Sequence, residues 1–367
     1  MNDIVMEVNN PKEYLTALSL ARNAFLSNVS IGVNNMENTF SSSIDKDIQD
    51  GISGIFSSTS GFFPAAQTRY YSSKVIYNPF GLGANVHLNA IYMSNEKERN
   101  DFTCIAAEIS ELLIRKCGVG TSDFAKVKEF ADWVRRYFTY KSNDVYQDHS
   151  AAELLKNRTG VCQAIAALAC VVLPYMGLRV QYVVGEGKGV GGWGCHAWNM
   201  VFINDRWIHM DFTFAMNSIG VPMTEGIMNK KIFMSTHKWD EKAFSESAIE
   251  AKYRLNRALL DAEVILYLDR EYFEIDGVKI YSRTPIYYEK DNVTWIRYYD
   301  LVKYLGGGCK YSPSKNELQI CVASRRYSIK GASKVMDMNL CGVRKESLDA
   351  LKIRYVEING KLMFRFE

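Results

Sequence analysis

The segment that most constrains this chain runs from Val161 to Leu178, VCQAIAALACVVLPYMGL, and it is apolar on nearly every side. An amphipathic helix buries one stripe, whereas a helix without a polar face must be enclosed all round. The rest of the chain therefore has to wrap this segment with other elements. Pro174 lies too deep for a first-turn proline and should kink or end the helix, with Gly177 placed to cap what remains. Cys162 follows a Gly-Val step and stands at the amino end of the helix.

The flanking segments read as the wrapping. Phe124, Val127, Phe130, Ala131, Val134 and Phe138 recur three or four residues apart and predict an amphipathic helix capped by Ser122 or Asp123. Ser150 to Glu153 has capping-box spacing and opens a short helix through Leu155, which Asn157-Arg158-Thr159-Gly160 breaks. After the apolar helix, RVQYVV reads as a strand and GEGKGVGGWG as a mobile loop. HAWNMVFINDRWIHMDFTF reads as two strands joined at Asn204-Asp205.

At 367 residues the chain is too long for one ordinary core. We expect an N-terminal mixed α/β domain over 1–120, a core over 121–238, a helical connector over 239–261 and a β-rich C-terminal module over 262–367. The N-terminal part contains a helix near Pro11 to Phe25, a glycine- and serine-rich middle, and strands Thr68–Tyr77 and Asn85–Tyr92 flanking NPFGLG. The tyrosine-rich YYSSKVIY is read as a half-buried strand rather than a ligand-stacking face.

Net charge is +3 with no basic tract, so neither nucleic acid nor an anionic membrane is implied as a partner. No run of about 18 apolar residues predicts a membrane span. The amino end, MNDIVMEVNN, lacks the apolar core of a signal peptide, so the chain is either cytoplasmic or begins after a removed leader. The eight cysteines contain no C-x-x-C pair, which argues against a zinc ribbon, a thioredoxin-type pair or a dense disulfide scaffold. Nothing in the sequence sets the oligomeric state.

Three chemistries compete for GCHAWN, Gly194 to Asn199. The preceding Gly187-Lys-Gly189-Val-Gly191-Gly192 matches G-x-G-x-x-G on paper, but a strand follows it where a phosphate cradle needs a helix. A metal set of Cys195, His196, His209 and Asp211 fails because Cys195 and His196 point to opposite faces of a strand. A nucleophilic triad survives. With Asn204-Asp205 as a two-residue turn, Ile203 faces Arg206, His196 faces Thr213, and Asp211 is the diagonal neighbour of His196 on the same face. Diagonal neighbours lie about 7 to 8 Å apart, close enough for a carboxylate to hold an imidazole. Helix N–H groups and an adjacent imidazolium favour thiolate at Cys162, which makes Cys162, His196 and Asp211 nucleophile, base and orienter. His209 lies on the same face further down the hairpin and is the less favoured base. Cys195 is expected to be packed, Cys170 to be core, and His149 and His87 to be structural.

With Gly160-Val161-Cys162-Gln163, His196-Ala197-Trp198-Asn199 and Trp207-x-His209-x-Asp211-x-Thr213 in this order, the chain resembles the transglutaminase-like superfamily. DFAKVKEFADWVRRYFTY and SAAELL are similar to the helices that precede the nucleophile in bacterial members, so the resemblance covers about 122–216. It implies an α+β fold with a papain-like core, a nucleophile helix packed on an antiparallel sheet. It also implies attack by Cys162 on a carboxamide or peptide carbonyl to give a thioester, with His196 moving the proton and Asp211 orienting it. The Cys162 N–H is the natural oxyanion donor, with the Tyr140 hydroxyl or Gln163 amide as second candidates. Trp193, Trp198 and Trp207 are candidate groove walls. No D-x-D-x-D-G calcium loop is present, and no metal or other cofactor is expected.

VTWIRYYDLVKYLGGGCKYSPSKNELQI resembles the repeat named for the copper amine oxidase N-terminal domain, a strand, helix and hairpin module common in secreted Firmicute proteins. The segment is poor in histidine and offers no copper site. That likeness implies a positioning module and a place outside the cell or on its surface. The expected activity is transglutaminase-type transamidation or deamidation of a protein or peptide, with a cell-wall associated substrate among the partners that export implies. The alternatives are a cysteine protease or amidase with water as acceptor, and a non-catalytic peptide or cell-wall binding scaffold.

Overall fold

The computed structural model describes residues 4–34, 44–56, 67–78, 83–118, 120–142, 145–216, 223–224, 230–337 and 342–366. They form two compact units, one comprising Met1–Ser60, Thr68–Tyr92 and Arg257–Glu367, the other Gly61–Gln67 and Met93–Asn256. The fold is mixed α+β.

In the first unit, nine strands form one sheet. Ile4–Val8 pairs in parallel with Asn28–Asn34 and antiparallel with Val278–Tyr281. Strands expected in a domain over 1–120 thus share a sheet with strands expected in a module over 262–367. The linear division differs from this one because period-2 patterning marks a strand but not the strand whose N–H and C=O groups complete it. Thr68–Tyr77 appears as read, and its partner runs Gly83–Tyr92. Most of the NPFGLG connection and the glycine- and serine-rich middle lies outside the described residues. Among the described residues before 120 there are three helices, Pro11–Asn23 and Ile44–Phe56 in this unit and Glu96–Cys117 in the other, where one was expected. The last has a complete capping box, Asn95 with Glu98. Further on, a strand, a short helix and a hairpin follow in order over Val293–Ile296, Tyr298–Val302, Gly308–Ser312 and Glu317–Val322.

The second unit carries the apolar helix. Its elements begin with α1 (Glu96–Cys117) and α2 (Asp123–Tyr137), the latter capped by the Ser122 side chain. They continue through β1 (Thr139–Tyr140), α3 (Ala151–Asn157), β2 (Thr159–Gly160) and α4 (Cys162–Tyr175). Leu154, Ile165, Leu168, Val172 and Leu173 of α3 and α4 are buried with Phe130, Val134, Val201 and Met210 in one core. A buried aliphatic side chain of this kind contributes roughly 1.5–3 kcal/mol. α4 ends one residue after Pro174, and Gly177, at φ +81°, turns the chain so that the Leu178 N–H donates to the Leu173 carbonyl at 3.1 Å.

The sheet against α4 contains β3 (Val180–Gly189), β4 (Gly192–Ile203) and β5 (Arg206–Asp211). Beyond them lie α5 (Phe212–Ala215), β6 (Met223–Thr224), α6 (Lys230–Met234) and β7 (His237–Lys238), and the strand order is β6-β5-β4-β3-β7. The turn at Asn204-Asp205 has φ +50° and +60°, and Ile203 faces Arg206 as the two-residue turn requires. The second strand stops short of its predicted length, however. At Asp211 the chain leaves the sheet for α5, so Thr213 does not face His196. The Asp211 side chain ends the strand by capping that turn of helix, and Phe212 packs edge-on against Phe130 of α2.

GEGKGVGGWG is not a loop but two strand ends joined at Val190-Gly191: Glu186 faces Cys195, Gly187 faces Gly194 and Lys188 faces Trp193. On the other side of β3, Gly187 faces His237 and Glu186 faces Lys238. Glycine serves close approach here. A Cβ on Gly185 would overlap the Lys238 carbonyl oxygen, and one on Gly187 would stand 2.8 Å from Cγ and Cδ2 of His196. The expected connector over 239–261 contains a helix at Glu246–Leu260. Among the described residues no helix is long and apolar enough to cross a membrane.

Candidate active site

Short pairings bring the site together. β1 and β2 pair in parallel with Tyr140 beside Gly160, which sets a tyrosine next to the residue pair that leads into α4. The Val161 N–H donates to the Asp148 carbonyl at 3.0 Å and helps fix the entry to the helix. Cys162 is the first residue of α4, where backbone N–H groups lack intrahelical acceptors and the helix dipole favours negative charge. The Cys162 sulfur is the neighbour that acts, by hydrogen bonding and charge, on both the His196 imidazole and the Tyr140 hydroxyl.

His196 projects from β4 and bonds Asp211 Oδ2 through Nε2 at 2.6 Å, leaving Nδ1 as the ring nitrogen for the thiol. Burial alone would lower its pKa, but the bonds and charges of Asp211 and Cys162 raise it to about 10. Asp211 has no solvent exposure. Burial would raise its pKa, yet the hydrogen bonds from His196 and from a second imidazole, His237, hold it at about 2. Its other oxygen, Oδ1, accepts from the Thr213 N–H at 2.8 Å and the Phe214 N–H at 3.3 Å. One carboxylate thus ends a strand, starts a helix and orients a ring.

The structure brings Cys162, His196, Asp211 and Tyr140 together. Tyr140 has its pKa raised to about 12, by burial first and Cys162 second, so its hydroxyl remains a donor. Gln163 is at the same helix end, but its Oε1 meets Nδ1 of His149 at 2.8 Å. His149 therefore supports the helix start. Trp198 and Trp207, candidates for groove walls though aromatics of this kind are more often core, are 1% and 2% exposed and belong to a second core behind the hairpin. Period 2 puts Trp198 on the His196 face, and there its ring stacks on His196 at 5.8 Å and its N–H donates to His209 Nδ1 at 2.9 Å. Trp193 is 38% exposed, with the Lys238 ammonium 4.0 Å above its ring.

His209 lies apart from the thiol, with Trp239 4.3 Å away, and burial lowers its pKa to about 3. Cys195, expected to be packed, is exposed because its stretch of hairpin extends past the core. Cys170 packs against the core, and burial raises its pKa. The seven cysteines among the described residues are free. The set Cys195, His196, His209 and Asp211 does not assemble.

His237 is the residue that the sequence reading missed. It is fully buried, and its Nε2 meets Asp211 Oδ2 at 3.0 Å. No local pattern marks it, since it arrives through a two-residue strand paired with the glycine-rich end of β3. His196, Asp211 and His237 offer ligand atoms within 4.8 Å of one another, a donor set that suits a zinc-like ion. A single oxygen already accepts from both imidazoles, so an ion there would have to replace both hydrogens. The arrangement reads as a relay of hydrogen bonds from carboxylate through imidazole to thiol.

No curated protein matches the chain. Among solved structures it is similar to a proposed cysteine protease from Cytophaga hutchinsonii, with 14% identity and a TM-score of 0.28 over 49% of this chain and 73% of that one. It is also similar to a TGase crystal structure, with 17% identity and a TM-score of 0.26 over 51% of each chain. A third is the periplasmic domain of TgpA from Pseudomonas aeruginosa bound to ethylmercury, with 15% identity and a TM-score of 0.23 over 43% of this chain and 68% of that one. Residues 113–212 match the model of the family described as the Transglutaminase-like superfamily, and the chain thus carries a transglutaminase-like domain over that span.

Proposed function

We propose that the second unit is a cysteine acyl-transfer enzyme acting on protein or peptide amides through a thioester at Cys162. The observation that carries this reading is one ring, His196, held by the buried Asp211 carboxylate at 2.6 Å and acted on by the Cys162 sulfur at the head of α4. The sulfur attacks the amide carbonyl, the C–N bond breaks, and the proton held on His196 passes to the departing amine. An acceptor then gives its proton to His196 as it attacks, and the C–S bond breaks. Asp211 keeps the ring in place and stabilises its cation throughout. The Cys162 N–H and the Tyr140 hydroxyl are the donors we assign to the developing oxyanion, and a donor of this kind is worth about 10²–10³ in rate.

Water as acceptor, giving an amidase or protease, is the second reading. A transamidase must exclude water from its thioester, and burial of Trp198 and Trp207 leaves Trp193 alone of the three candidate aromatic walls. A glutamine donor peptide offered with a labelled primary amine separates the readings. Incorporation of the amine supports transfer, whereas deamidation or chain cleavage alone supports hydrolysis. Mass spectrometry of the trapped adduct should locate it on Cys162. Equal iodoacetamide labelling of Cys162 and the exposed Cys195 in the native protein, unaffected by His196→Ala, would instead support a non-catalytic scaffold. We place the protein outside the cell or on its surface, with the cytoplasm as the alternative, and fractionation of the native host separates the two.

A further inference from the structure

Asp211 accepts four hydrogen bonds, and two of them end on the same oxygen. Oδ2 receives His196 Nε2 at 2.6 Å and His237 Nε2 at 3.0 Å, while Oδ1 receives the two backbone N–H groups of α5. An ionised carboxylate can only accept, so both Nε2 atoms carry hydrogen. On the far side, His237 Nδ1 is 2.9 Å from the Thr236 hydroxyl and 3.3 Å from the Phe233 carbonyl oxygen. With the Thr236 hydroxyl donating to Nδ1, His237 is neutral. With Nδ1 donating to the carbonyl oxygen, His237 is a cation, since Nε2 already carries its hydrogen toward Asp211.

The backbone gives His237 little choice of position. It faces Gly187 across β3 and β7, the Lys188 N–H donates to the Thr236 carbonyl at 2.8 Å, and the Phe233 ring stacks on it at 4.1 Å and 8°. The titratable groups around the pair are Asp211, Cys162 and Tyr140 on the His196 side, and His209 with Lys230 behind. Lys238 and Glu186, on the strands beside His237, pair with each other at 3.7 Å.

We propose that His237 is a positioning residue that shares Asp211 Oδ2 with His196 and so limits how tightly the carboxylate holds the proton on His196. A buried anion with one imidazole as its sole side-chain partner would bind that cation more firmly and release its proton to a departing amine more slowly. The catalytic consequence rests on the acyl-transfer reading above, but the titration does not.

The chain has five histidines, so 15N-histidine labelling with single substitutions assigns each ring by NMR. Native protein at neutral pH should show hydrogen on Nε2 of both His196 and His237. His237→Phe keeps a ring against Phe233 but has no donor, and it should move the His196 midpoint upward by about half a unit or more. His237→Gln restores a donor and should bring the midpoint back. A structural defect would loosen the Asp211 contact and move the midpoint down. An unchanged or lowered midpoint in His237→Phe, or an Nε2 without hydrogen on native His237, overturns the proposal. If His237→Phe does not fold, His237→Asn, too short to reach Oδ2, takes its place under the same criterion. In turnover, His237→Phe should lower kcat about three- to tenfold with KM unchanged. Titrations as expected without any acyl transfer would remove the enzyme reading and leave the shared carboxylate standing.

Discussion

Two imidazoles on one hairpin, His196 on β4 and His209 on β5, are both largely enclosed by protein and both on the face that carries Trp198. Their pKa values are driven in opposite directions, to about 10 and about 3. Burial lowers both. At His196 it is outweighed by Asp211 and Cys162, whereas at His209 the bonded neighbour is the Trp198 indole, which offers a hydrogen bond and no charge. The difference teaches that a buried histidine takes its chemistry from its nearest charged neighbour, and one step along a strand changes that neighbour. Trp198 joins the two by stacking on one ring and donating to the other.

The severest way to break the contrast is Asp211→Asn. His196 should lose its anion and titrate near its ordinary 6.5 rather than about 10, and turnover should fall on the order of 10³–10⁴. Stability should fall by roughly 3–5 kcal/mol, since the amide cannot accept from both imidazoles in their buried setting. Denaturant titration and single-turnover kinetics check the two effects.

Gly187→Ala disturbs the ring without touching its charge. The added methyl would stand 2.8 Å from the His196 ring, which should cost about 1–3 kcal/mol in thermal unfolding and on the order of 10²-fold in rate. Gly189→Ala meets nothing within 4 Å and should change stability by no more than about 0.5 kcal/mol.

Acid and alkali sharpen the contrast, since each acts on one histidine. His196 has its folded pKa raised from 6.5 to about 10, so its contribution is complete below 6.5 and is lost as pH rises toward 10. His209 has its folded pKa lowered from 6.5 to about 3, so its contribution is complete above 6.5 and is lost as pH falls toward 3. Unfolding followed across both windows should show a loss on each side, the alkaline one absent in His196→Gln and the acid one absent in His209→Gln. Turnover should fall along the alkaline limb, because the proton for the departing amine leaves His196 there.

His209→Phe tests the second ring without touching the thiol. Trp198 loses its acceptor, which should cost about 1–3 kcal/mol. The His196 midpoint should stay in place and Cys162 alkylation should be unchanged, and a large shift in either would show that the two rings are coupled through Trp198.

The legible parts of this protein are the local ones. The register of β4 with β5 follows from the two-residue turn and the period of 2, so Ile203 facing Arg206 already put His196 and Asp211 on one face. The start of α4 at Cys162 and its end after Pro174 follow from chain chemistry at single positions. Glu96–Cys117 was equally readable from Asn95 and Glu98, which form a capping box. The glycines of β3 misled because their composition matches a loop, while their role is to admit the His196 ring and the backbone of β7.

By itself the sequence determined a buried helix with a thiol at its head and a hairpin with a histidine and an aspartate on one face, because helical and strand periods repeat over a few residues. Only the tertiary structure decided that His237 reaches the same carboxylate, that Trp198 and Trp207 are interior, and that strands from both ends of the chain share one sheet. Backbone pairing between distant segments depends on which edges meet, and an edge leaves no periodic trace in the residues that form it.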